Sequence, residues 1–121
     1  MAANNTPTEH QEQVALIQWC RLKKIFIFAI ANGGNRNIVT ATMLKAEGVI
    51  KGVPDLFLTT AAGGWHGLFI ELKRLKGSST STEQKAVHAI LRGQNYKVVV
   101  CKGWIEATKQ IDAYLKGEMV E

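Results

Sequence analysis

What the chain lacks narrows its function first. It has only two cysteines, Cys20 and Cys101, far apart and without the paired Cys/His spacing of a zinc site. No secretory signal leads into them, so both are expected to be buried free thiols. Its three histidines, His10, His66 and His88, share no ligation spacing and read as surface or otherwise satisfied groups. There is no P-loop, no dinucleotide-binding glycine pattern and no internal repeat, which leaves nucleotide-cofactor chemistry and solenoid scaffolds without support. No apolar run is long. Ile25 to Ala31 falls far short of a bilayer span, and the N-terminus is polar rather than a charged segment leading into an apolar one. The expectation is a soluble cytoplasmic protein with no membrane partner and no small-molecule cofactor.

What is present fits one domain over residues 1–121, 46% hydrophobic and long enough for one core. The formal charge of +5 suits a polyanionic partner, although a similar excess is common in proteins that never meet nucleic acid. Residues 1–5 have nothing to bury and are expected to be disordered. Thr6-Pro7-Thr8-Glu9 carries a capping hydroxyl, a proline at the first helical position and an acid, which predicts a helix running to about Lys23. At about 100° per residue, Glu9, Gln13, Leu16, Ile17 and Cys20 fall within an arc of about 100°. Glu9 is therefore either a cap partner or a carboxylate turned to the interior, whereas Glu12 reads as solvated.

Ile25 to Ala31 is a continuous apolar run, the pattern of an interior strand covered on both faces. Asn32 to Asn37, with Arg36, is either a plain turn or a loop whose amides and guanidinium meet phosphate. Ile38 to Glu47 reads as a short helix ended by Gly48. A strand from Pro54, a Gly-rich turn at Ala61-Ala62-Gly63-Gly64 and a strand over Leu68 to Lys73 follow. Arg74 to Thr80 is a basic loop, solvated or laid along a phosphate backbone. Ser81-Thr82-Glu83-Gln84 is a capping box that opens a helix through Leu91, ended by Gly93. Gln84 is thus either a cap partner or a contact to phosphate or metal-bound water. Tyr96 to Cys101 reads as another buried strand, and an amphipathic helix from Trp104 to Gly117 supplies core positions.

Three charges stand out of this pattern. Asp55 follows Pro54 at a strand entry. Glu71 and Lys73 lie in an apolar strand and share a face, because residues i and i+2 of a strand project together. The Gly-rich turn makes the two strands antiparallel neighbours, so Asp55 comes within reach of Glu71. Charges in buried strands cost stability unless compensated. A bound cation would compensate them, and a buried salt bridge of Lys73 with a carboxylate is the competing reading.

Pro54-Asp55 followed by Glu71-Leu72-Lys73 resembles the PD-(D/E)xK motif of restriction-endonuclease-like nucleases. The setting is Gly52-Val53-Pro54-Asp55-Leu56, Phe69-Ile70-Glu71-Leu72-Lys73, Ser81 with Gln84, and Tyr96 before a Val-rich strand. Over nearly the whole chain it is similar to a stand-alone VRR-NUC, or virus-type replication-repair nuclease, domain. The resemblance implies an α/β fold with an αβββαβ core, a central mixed four-stranded sheet flanked by helices. It implies Asp55, Glu71 and the Leu72 carbonyl as ligands of Mg²⁺ or Mn²⁺, with Glu9 as the acid of the first helix. It implies Lys73 as the catalytic lysine and Gln84 as a further residue of the catalytic site.

A hard cation held by oxygens suits phosphodiester hydrolysis, where an anion repels hydroxide and the alkoxide leaves poorly. Lys73 would orient the attacking water or stabilise developing charge, with a general-base role as the alternative. The implied substrate is branched DNA such as a Holliday junction, in a phage or repair setting. Two symmetric cuts call for two copies, most simply a C2 homodimer. Arg36, Arg74, Lys76 and Lys85 are the expected DNA contacts. From another class, a similar basic surface fits a non-catalytic DNA-binding or assembly module. A third reading is an α/β domain whose charge only keeps it soluble.

Overall fold

Capping and turn chemistry set the element boundaries. The computed structural model describes residues 5–31 and 37–119. Among them the order is α1 (Glu9–Leu22), β1 (Ile27–Ala29), α2 (Ile38–Ala46), β2 (Leu56–Leu58), β3 (Leu68–Lys73), α3 (Thr82–Gly93), β4 (Lys97–Lys102) and α4 (Trp104–Leu115). The Thr8 hydroxyl accepts the Gln11 N–H at 3.1 Å, and the Gln11 side chain accepts the Thr8 N–H at 2.9 Å. Thr8 and Gln11 are therefore the reciprocal capping pair. The expected start at Thr6 is two residues early, and Glu9 is released from any capping duty. α3 starts on Ser81 and Gln84 as expected, but Gly93 stays helical and Asn95, at φ 68°, makes the left-handed turn. The expectation of disorder at residues 1–5 falls almost wholly outside the described residues.

The strands pair in the order β1-β2-β3-β4, antiparallel as far as β3 and parallel between β3 and β4. A parallel step needs a crossover, which α3 supplies. This is the expected α/β fold with a mixed four-stranded sheet flanked by helices. The core occupies one face of the sheet, where Leu56, Leu58, Leu68, Ile70 and Leu72 meet Leu16 and Cys20 of α1 and Ala107, Ile111 and Tyr114 of α4. Cys20 and Cys101 are buried free thiols, and burial pushes them up to about 11 and about 12. The Tyr114 hydroxyl donates to the Thr60 carbonyl at 2.6 Å and the Trp65 indole donates to the Met119 carbonyl, pinning the β2–β3 turn to the C-terminal segment. Among the described residues no helix is long and apolar enough to cross a membrane.

The run Ile25 to Ala31 is not an interior strand. β1 is short and lies at the sheet edge, with Phe26 and Phe28 exposed. Ile25 and Ile27 pack on the core. Phe28 begins an aromatic row on the opposite face, with ring centroids 5.7 Å from Phe28 to Phe57 and 4.3 Å from Phe57 to Phe69. A strand apolar on both faces need not be covered on both, and a continuous apolar run does not separate the two cases. β4 is the other edge. Its Val98 and Cys101 are buried, but Val100 is exposed.

Glu12, read as solvated, is 3% exposed, and its Oε1 accepts the Trp104 N–H at 2.9 Å. α4 starts on Gly103, which has no side chain to cap with. A carboxylate from 92 positions earlier therefore caps α4 and ties it to α1. Glu12→Ala is expected to lose about 1–3 kcal/mol in urea unfolding, whereas Glu9→Ala should stay within about 0.5 kcal/mol of wild type. Equal losses would refute this division between the two acids.

Candidate active site

The site is assembled where the β2–β3 ladder stops. Its last pair is Leu56 with Ile70. Beyond it, Asp55 Oδ2 accepts the Leu72 N–H at 2.7 Å, in the place of a strand carbonyl. The N–H and C=O of one strand residue leave on the same side, so the Leu72 carbonyl also faces Asp55. The pleat sends the Leu72 side chain into the core and puts Glu71 and Lys73 on the opposite face, 2% and 7% exposed. Gly52, at φ 100°, brings this segment against the first turn of α3, so close that a Cβ would stand 2.6 Å from the Glu83 carbonyl oxygen. That approach puts Asp55 and Gln84 in one neighbourhood. Gln84 Oε1 accepts from both the Ser81 N–H and Lys73 Nζ, each at 2.9 Å. One atom therefore caps α3 and holds the lysine, so the partner beyond the cap is Lys73.

Glu71 is the electrostatic centre. Its Oε2 lies 3.9 Å from Lys73 Nζ, at the outer limit of an ion pair, and its buried Oε1 has no hydrogen-bond partner among the described residues. Lys73 and Glu71 thus form the buried ion pair of the competing reading at its longest reach, which leaves Asp55 and Glu71 Oε1 outside it. The Glu71 carboxyl is pushed up from 4.5 to about 8, first by burial and then by the charge and hydrogen bond of Asp55. Lys73 opposes the shift and Glu9 adds to it. Glu9 itself is exposed at the start of α1, near enough for its charge to be felt at the margin of the site.

His88, read as a surface or satisfied group, is neither. It is 2% exposed, and its Nε2 lies 3.8 Å from Glu71 Oε1 without a hydrogen-bond partner among the described residues. Burial, then the charges of Arg92 and Lys73, hold the imidazole below its ordinary value. The signal available in the sequence is its four-residue spacing from Gln84, which puts both on one face of α3.

Lys76 and Lys85 are exposed, and Arg74 is half-buried with Nη2 3.5 Å from the Thr6 carbonyl. Arg36 lies outside the described residues. A cleft of about 490 Å³, lined by Pro7, Glu12, Leu75 and Trp104 among others, includes none of Asp55, Glu71, Lys73 or His88, and its Glu12 is already bonded. Among the described residues no three His, Cys, Asp or Glu side chains close around a metal position. The donor set is instead two carboxylates and one carbonyl. That set fits Mg²⁺, which keeps several waters and needs only one or two carboxylates, and Glu71 Oε2, 3.9 Å from Lys73 Nζ, has acceptor capacity left for it.

An Asp at the entry of β2, Glu-x-Lys on β3 and a parallel β4 reached through α3 define a restriction-endonuclease-like nuclease fold, with α2 added between β1 and β2. The profile of the VRR-NUC domain matches residues 6–104, and the chain belongs to that family. A solved structure described as a VRR_NUC domain protein is 28% identical and superposes with a TM-score of 0.82, over 93% of this chain and 92% of that one. No curated protein gives a significant match.

Proposed function

We propose that this nuclease-family domain is a divalent-metal-dependent endonuclease that hydrolyses phosphodiester bonds in branched DNA, four-way junctions included. The observation that carries the reading is the buried Glu71 carboxylate beside Asp55, with its Oε2 3.9 Å from Lys73 Nζ and Lys73 itself held by Gln84 on the same strand face. Asp55, Glu71 and the Leu72 carbonyl would hold Mg²⁺ or Mn²⁺, with Glu9 at the margin. When bound, the cation would polarise the scissile phosphate and lower the pKa of a water. Asp55 is oriented by the Leu72 N–H, so its second oxygen is directed without rotamer searching. Lys73 spends one donor on Gln84 and has others for a phosphate oxygen or the attacking water. Arg74, Lys76 and Lys85 would follow the DNA backbone. A two-fold partner copy would present a second site to the opposing strand of a junction. The working setting is a bacterial or phage-infected cytoplasm.

Cleavage of duplex, flap and four-way junction DNA, with and without Mg²⁺, tests the reading on wild type and Asp55→Asn. Wild type should cut the junction only with metal, and Asp55→Asn should be slower by at least about 100-fold. The Asn carbonyl oxygen can still accept the Leu72 N–H, so the thermal midpoint should hold. Equal cutting by the variant sinks the proposal. Salt-sensitive binding with no metal-dependent product would favour a non-catalytic DNA-binding module instead.

A further inference from the structure

Two periodic elements match in spacing at the site. Four residues of α-helix rise about 6 Å and two residues of strand about 6.6 Å, so Gln84 and His88 on α3 stand opposite Lys73 and Glu71 on β3. The first pair is bonded, Lys73 Nζ donating to Gln84 Oε1 at 2.9 Å. The second pair is open. His88 Nε2 and Glu71 Oε1 face each other at 3.8 Å, both buried and both without a hydrogen-bond partner among the described residues. Unpaired buried polar atoms are rare in folded proteins. Two of them set against each other, about 0.6 Å beyond the usual limit of an N–H···O bond, mark a contact that a small side-chain rotation would complete.

Resting on the reading above, we propose that His88 is a positioning residue: its Nε2–H donates to Glu71 Oε1 and holds the carboxylate so that its other oxygen is presented, with Asp55, to a divalent cation. The imidazole then does for Glu71 what Gln84 does for Lys73, and α3 supplies one orienting group to each functional side chain of β3. A hydrogen bond behind a ligating carboxylate fixes its orientation before the metal arrives, and losing such a bond weakens metal binding by about 10–100-fold.

The test is Mn²⁺ binding to the whole protein by isothermal titration calorimetry, with junction cleavage followed in parallel. His88→Leu keeps much of the volume and removes the donor. Its Kd for Mn²⁺ should rise about 10–100-fold with the circular dichroism spectrum unchanged. His88→Gln places an amide donor near the Nε2 position and should bind within about fivefold of wild type, whereas the shorter His88→Asn should behave like His88→Leu. Wild-type affinity in His88→Leu, or equal weakening in all three variants, overturns the proposal. Should His88→Leu fail to fold, the difference between the Gln and Asn variants decides alone. Asp55→Asn separates the two levels of the argument. If it too keeps wild-type Mn²⁺ affinity, the cation is not held here and both readings fall. If it loses affinity while His88→Leu does not, only the role of His88 falls.

Discussion

Glu71→Gln is expected to abolish cleavage and yet to stabilise the metal-free protein at alkaline pH. The carboxyl titrates near 8 in the folded protein against an ordinary value of 4.5, chiefly because burial disfavours its charged form and Asp55 repels it. Between those values the folded state keeps a proton that the unfolded chain has lost. The contribution of this group to stability is therefore fully present below 4.5 and is lost as pH rises through about 8. At about 1.4 kcal/mol per pH unit, that interval amounts to several kcal/mol. Gln cannot ionise and escapes the loss, while removing a proposed metal ligand should slow cleavage by about 100- to 1,000-fold or more. Thermal unfolding without metal at pH 5, 7 and 9 checks the first half. Added Mg²⁺ should raise the midpoint of wild type at pH 9 and leave the variant unmoved. Parallel pH dependence in the two proteins would remove Glu71 from the centre of the site.

Gly52→Ala is expected to damage fold and site together. At φ 100° a side chain is strained in any surroundings, and here a Cβ would also stand 2.6 Å from the Glu83 carbonyl oxygen and 2.9 Å from the Gln84 nitrogen. Those atoms belong to the backbone of a capped helix and cannot swing aside. Strain and overlap together should cost about 2–4 kcal/mol. Relief comes only by moving the β2 lead-in away from α3, which separates Asp55 from Gln84 and Lys73. The variant should therefore show both a lower urea midpoint and weaker Mn²⁺ binding. A lower midpoint with unchanged Mn²⁺ affinity would show that the contact supports the fold alone. For comparison, Gly48 at φ 101° meets nothing within 4 Å, so Gly48→Ala carries the backbone strain without the overlap.

How much of this was legible in the sequence depended on the range of the physics involved. The charged trio could be read because a strand period of two and a Gly-rich turn are local, and they place Asp55, Glu71 and Lys73 without knowledge of the rest of the chain. The cap at Ser81 and Gln84 could be read for the same reason, although its second use, holding Lys73, depends on where β3 passes α3. Glu12 was not legible. Its burial follows from the pairing of α1 with α4 and from the missing side chain at Gly103, which no pattern near residue 12 contains. His88 stayed hidden because a histidine on a helix gains meaning only once its face is matched to Glu71. The edge positions of β1 and β4 are properties of strand order, and an apolar run is silent about how many neighbours it will have.

The Glu12–Trp104 tie also bears on the order in which the molecule assembles. Its partners lie 92 positions apart, whereas Asp55 with Leu72 and Lys73 with Gln84 span 17 and 11. Short loops close at lower entropic cost and sooner than long ones. The middle of the chain, with β2, β3 and the start of α3, is thus able to assemble before its two ends meet. Loss of the tie would loosen the joint between the two helices that cover the apolar face of the sheet, whereas the opposite face, with its carboxylates and lysine, is fastened by the shorter-range contacts.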